Sequence, residues 1–262
     1  MSIVFLVVLS VHVVYAVLAN RRDKPERTWR TIIVAMAVQT PAFLIACWFG
    51  ARSGAFSRDL VSPLHIAFGL LIGHGLFGLS LVAIDCALRD AIDHLTDIGG
   101  VWRFAVDCPA ALRHVLAVSV AEELIWRVTA QTIVIQLLSE LRPLAAGPWP
   151  AAAGIALVAV GFSVVHRHFF KNAARESVEF VVFSLLIGAL YFWTESLILV
   201  VAVHAVRNLE IAYLEYQIKA EELGDPDKAM DEIERQHTPP RRTAPDRADG
   251  PRLGANLRSH EN

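Results

Sequence analysis

The chain has 262 residues, 55% of them hydrophobic and 19% charged, with a mean hydropathy of +0.45. That is too apolar for an ordinary soluble domain and points to a membrane protein. A net charge of −2 leaves no basic footprint for nucleic acid. The three cysteines, Cys47, Cys86 and Cys108, are odd in number and have no metal-type spacing, so they read as free thiols. Arginine far outnumbers lysine, a bias of GC-rich bacterial genomes, which makes a bacterial inner membrane the expected location.

The first apolar run is 3–18. No basic residue precedes it and no small-x-small cleavage site follows, so it reads as a membrane helix and not as a signal peptide. Further runs are 31–50, 60–88, 110–138, 149–165, 177–193 and 197–213. Each is near or above the ~17–20 residues that a span needs, which predicts an all-α bundle of about seven transmembrane helices. The runs 60–88 and 110–138 are long and should tilt or protrude. Arg21, Arg22, Lys24, Arg27 and Arg30 follow the first run, Arg89, Arg103 and Arg113 flank the third loop, and Arg167, Lys171 and Arg175 the fifth. The opposite loops hold only Arg52, Arg58 and Arg142. This bias places the N-terminus outside and the C-terminus in the cytoplasm.

Between the third and fourth runs, 89–109 is mixed and reads as an interfacial loop or short amphipathic helix. The transmembrane domain is expected to end near Tyr216, with the motif-bearing core at 110–213 and a charged cytoplasmic tail over 217–262. Within that tail Asp225-Pro226 can cap and open a short helix through Gln236. Disorder is expected beyond His237. No internal repeat of the transporter kind is visible.

Ionisable groups inside apolar runs are costly, about 2.5–3.5 kcal/mol each near a bilayer centre, and are kept where they pair or do chemistry. Glu122, Glu123 and Arg127 lie inside 110–138. Glu123 and Arg127 are i and i+4, so they share a helix face and can pair. Glu122 is turned about 100° away and is not used by that bridge. Such a carboxylate is a candidate general base. Two further groups are Phe162 with His166 at the end of the fifth run, and His204 with Asn208 in the seventh. Helical rise puts Glu122 ~18 Å along from Ala110, His204 ~10 Å along from Leu197 and Asn208 ~6 Å deeper, so all can meet in the cytoplasmic half of the bilayer with His166. A carboxylate, two imidazoles and an amide there suit a water-activating site with oxyanion donors. Arg207 is expected to snorkel toward the inner headgroups. His168 is expected at the interface, and His65, His74 and Asp85 as packing or groove-lining groups.

These motifs, Glu122-Glu123-x-x-x-Arg127, Phe162-x-x-x-His166 and His204-x-x-x-Asn208, resemble those of the CPBP intramembrane proteases, which include CAAX prenyl endopeptidases and many bacterial members. The resemblance covers roughly 110–208. It implies hydrolysis of a peptide bond in a membrane-associated or lipidated substrate. It further implies a glutamate-type site without a cofactor, with Glu122 and His166 activating water and His204 and Asn208 at the oxyanion. Glu123, Arg127 and Phe162 would support them. Three alternatives remain open. A zinc protease could use the two histidines and a glutamate as ligands, although the His-Glu-x-x-His signature is absent. A non-catalytic relative could bind a membrane partner as an immunity or scaffold protein. A proton-coupled transporter could use the buried Glu and His, but it predicts matched halves. The substrate could be a prenylated C-terminus, a bacteriocin leader, a sorting tag or a regulatory membrane protein.

Overall fold

In the computed structural model, residues 2–20, 29–56, 62–85, 88–141, 147–166, 168–171 and 173–238 are described, and every regular element among them is helical. Arg58, Cys86, Arg142, Arg167, most of the basic cluster after the first run and the tail beyond Thr238 lie outside the described residues.

Among the described residues, five helices are long and apolar enough to cross a membrane: α1 (Ser2–Asn20), α2 (Trp29–Ser53), α3 (Pro63–Asp85), α10 (Ala174–Thr194) and α11 (Leu197–Leu223). A sixth candidate is the bent pair of α5 (Ile98–Asp107) and the continuous helix Pro109–Glu140, which meet at 99°. The run at 149–165 forms α8 (Trp149–Val164), but 16 residues reach only ~24 Å at 1.5 Å each, short of a ~30 Å hydrocarbon layer. The seven expected runs are thus all helical, while five or six of the helices meet the requirements of a span. The run 60–88 does not stay one helix. It ends at Asp85, and α4 (Leu88–Thr96) begins a separate element. α4 and α5 are short helices that occupy the segment read from sequence as a loop or short amphipathic helix. On α5, Ile98, Trp102 and Val106 are exposed along one stripe while Val101, Phe104 and Ala105 are buried on the other.

α11 lies at the centre, with Leu197 and everything from Leu199 to Ala205 buried. Its N-terminus is set by a tight turn from α10: Glu195 takes φ 50° to close one helix, and Ser196 Oγ accepts from Leu199 N at 3.4 Å to cap the next. Against α11 lies α3, brought close by Gly69 and Gly73. A Cβ at Gly69 would come 2.6 Å from Ala202 Cβ, and one at Gly73 2.7 Å from Val203 O, so only glycine permits this approach.

The helix Pro109–Glu140 is not uniform. α6 (Pro109–Glu123) passes into a π-helical segment, Leu124–Gln131, before α7 (Thr132–Glu140) resumes. Thr129 Oγ1 donates to Leu124 O at 2.9 Å, an i to i+5 contact that the wider turn allows. All eight π residues are buried.

α11 runs past the boundary expected at Tyr216, and α12 (Pro226–His237) folds back on it. Asp225 caps α12, accepting from Asp227 N at 3.1 Å and Lys228 N at 3.2 Å, as its position before Pro226 predicts. Ile233 of α12 is buried with Phe104, Val115 and Leu209, and Lys219 pairs with Glu232 at 2.7 Å. The helical part of the tail is therefore docked on α6 and α11.

Candidate active site

Three helices supply the candidate residues. α6 ends with Glu122 and Glu123 where the π segment begins. α8 ends at Val164, and His166 stands in the bend just beyond. Its ring turns back along α8, with Nδ1 2.7 Å from Phe162 O. α11 carries His204 and Asn208 one turn apart.

These side chains meet. His166 Nε2 lies 3.4 Å from Glu122 Oε1, and His204 Nε2 lies 3.6 Å from Glu122 Oε2. Glu122 is thus flanked by two imidazoles, one per oxygen. Asn208 joins Glu122, His166 and His204 in the wall of a cavity of about 800 Å³. The cavity also reaches His114, Glu176 and Glu215, so it has a polar side beside apolar Phe77, Leu81 and Ile84. A second, smaller cavity of about 290 Å³, beside Gln131 and Tyr191, touches none of these groups.

Beneath the cavity lies a buried chain of polar groups. Glu123 and Arg127 are both fully buried, with Arg127 Nε 3.4 Å from Glu123 Oε2, the pair expected from their spacing. Glu123 does more than pair with Arg127: its Oε1 is 2.7 Å from His204 Nδ1. Arg127 NH2 in turn donates to Ser184 Oγ at 2.9 Å, and its guanidinium lies 4.9 Å from the Phe162 ring centre. Phe162 also lies against the ring of His166, tilted to it, at 4.5 Å between centroids. A run Ser184–Arg127–Glu123–His204 therefore fixes one imidazole, and Phe162 with its own carbonyl fixes the other.

Other polar residues differ from expectation. Arg207 does not snorkel. It is buried, donates to both oxygens of Glu179 at 3.1 and 2.8 Å, and lies 4.3 Å over the Phe183 ring. An internal carboxylate and the ring faces of Phe180 and Phe183 compete successfully with the distant headgroups. His74 packs, as expected of it, but does so by pairing with buried Glu210, its Nε2 3.0 Å from Leu95 O. His65 Nδ1 is 3.1 Å from Ser196 Oγ. The side chains of Asp85 and His168 lie outside the described residues. Glu179, Ser184 and Glu210 are missed by motif spacing. Glu179 and Glu210 could be found by asking which acid neutralises each base in an apolar run.

The three residues of the zinc alternative are adjacent, yet among the described residues no trio of His, Cys, Asp or Glu is arranged to hold a metal ion.

Residues 104–209 match the family model described as Type II CAAX prenyl endopeptidase Rce1-like. All three motifs fall inside that match. This match supports a CPBP family intramembrane protease. No curated protein matches the chain, and no solved structure does. The match supports a membrane endopeptidase, a peptide hydrolase with a membrane-associated substrate, and the apolar helices support a multi-pass membrane protein.

Proposed function

We propose that the chain is a glutamate-type intramembrane endopeptidase in which Glu122 and His166 activate water and His204 and Asn208 receive the oxyanion. The observation that carries this reading is the Glu122 carboxylate between two imidazole Nε2 atoms, at 3.4 and 3.6 Å, on the wall of a cavity. A water held between Glu122 Oε1 and His166 Nε2 gives its proton to the carboxylate as its oxygen attacks the scissile carbonyl carbon. The carbonyl oxygen becomes an oxyanion and takes hydrogen bonds from His204 Nε2–H and the Asn208 amide. When the C–N bond breaks, protonated Glu122 returns its proton to the leaving amine.

Donation from His204 Nε2 requires hydrogen on both ring nitrogens. The Glu123 carboxylate at Nδ1 is the group that balances the resulting charge. Glu123 and Arg127 thus act on the reaction through His204, and Phe162 acts through His166. The substrate class is a membrane-associated or lipidated polypeptide that presents an extended bond to the cavity, and the site works in a bacterial inner membrane without a cofactor.

The test compares protein termini in membranes of cells expressing the wild-type chain or Glu122→Gln at equal abundance. New N-termini that vanish with Glu122→Gln support the reading. Identical termini in both overturn it.

A further inference from the structure

α1 lies outside the segment matched to the CPBP family, yet it carries an ionisable side chain. Its sequence holds no Asp, Glu, Lys or Arg, and a single histidine, His12. An ionisable group in an otherwise apolar membrane helix is costly and is kept for a reason. His12 also lies on the inner face. Phe5 and Leu9 are the buried residues of α1, and His12 follows them at i+7 and i+3, on the same stripe.

The neighbouring geometry aims that stripe at the water-activating pair. α1 packs against α2 and α8. At its end, Asn20 Nδ2 donates to Val165 O at 2.7 Å, which ties α1 to the bend that carries His166. His12 is eight residues before Asn20, about 12 Å back along the axis. The His166 ring folds back in the same direction, toward Phe162. His12 is close enough to interact electrostatically with both Glu122 and His166. Its Nδ1 is buried and has no hydrogen-bond partner among the described residues. Few other charges face it: α8 has no ionisable side chain, and between Arg30 and Arg52 α2 has only Cys47.

We propose that His12 is a further residue of the peptidase site, a third imidazole supplied by the first helix that positions the water-activating pair Glu122 and His166. This rests on the reading of Glu122 and His166 given above. The buried Nδ1 sets a polar atom behind the pair, outside the cavity wall, where leucine or valine would stand in a purely structural helix. It holds the pair and its water in register and adds a titrating group beside them.

Two measurements test it on the full-length protein in detergent micelles. The first is NMR of ¹⁵N-labelled histidine, which needs no substrate. Glu122→Gln should move the titration midpoint of His12, and an unmoved midpoint overturns the inference. The second is cleavage of an internally quenched farnesylated CAAX peptide by wild type, His12→Leu, His12→Gln and Glu122→Gln. His12→Leu should lower kcat by about 10-fold to 100-fold, with KM unchanged and Tm unchanged or raised. His12→Gln should restore part of the rate, and both should lose the same limb of the pH profile. Wild-type kcat and pH profile in His12→Leu, or a rate loss explained by a lower Tm, overturns the role. An inactive Glu122→Gln beside a fully active His12→Leu defeats this inference alone. A Glu122→Gln as active as wild type defeats the site reading instead.

Discussion

Glu123 and Arg127 form a pair with no access to solvent, and their replacement singly and together has a calculable outcome. Removing one partner of a buried pair leaves an uncompensated charge, at a cost of about 3–5 kcal/mol. Glu123→Gln should fall in that range, because Arg127 then keeps only the Ser184 hydroxyl and the Phe162 ring face. Arg127→Met should cost less, about 2–3 kcal/mol, because Glu123 still faces an imidazole that can carry the balancing charge, His204 at 2.7 Å. The double variant leaves neither member of the pair facing a missing partner. It should be more stable than the summed singles imply, with a coupling of about 2–3 kcal/mol. Activity should divide differently from stability. Glu123→Gln removes the acceptor at His204 Nδ1 and should lose rate as well as stability, whereas Arg127→Met should keep more of its rate. The assay is equilibrium unfolding in mixed detergent micelles beside peptide cleavage for all three variants. Additivity within about 0.5 kcal/mol would refute the buried pair.

Three further outcomes are expected. Single cysteines at Asp23, Arg52 and Ala248, with the native cysteines removed, should react with an impermeant thiol reagent in intact cells only at Arg52; labelling at Asp23 or Ala248 would reverse the topology. Arg52 serves better than Gly54, whose φ of 76° strains any side chain. Purified active enzyme should contain no stoichiometric zinc and keep its rate in chelator; activity lost on zinc removal and regained on its return would establish the metal mechanism. At the α12 cap, the Lys228 ammonium 3.0 Å away, together with the Lys228 and Asp227 amides, holds the Asp225 carboxyl below its ordinary 3.8. A carboxylate lowered on folding stabilises the fold above its unfolded value and loses that contribution as pH falls through its folded value. Protection factors of the α12 amides, corrected for the intrinsic exchange rate, should therefore fall as pH drops below 3.8, and Asp225→Ala should lack that step.

The sequence reveals the site better than its surroundings. Glu122, His166, His204 and Asn208 are legible because polar residues at i, i+4 spacing inside apolar runs have few reasons to exist, and helical rise places them at one depth. Glu123–Arg127 follows from the same spacing. His204 on Glu123, Arg207 on Glu179 and His74 on Glu210 join groups 81, 28 and 136 residues apart, and no local period encodes such pairings. The π segment is equally hidden, since the apolar pattern of 110–138 fits an ordinary helix and only the packed surroundings favour the wider turn. α12 is legible as a cap and a helix, but its docking depends on Ile233 finding a cleft built by α5, α6 and α11.

The central claim is that Glu122 is the base. Its most direct test is the cleavage rate and Tm of Glu122→Gln, measured on the same purified preparation as the wild type. A general base contributes about 10²–10⁴-fold, so the variant should fold, melt and accumulate as the wild type does while losing that factor in kcat. A Glu122→Gln enzyme that cleaves at the wild-type rate would contradict the account.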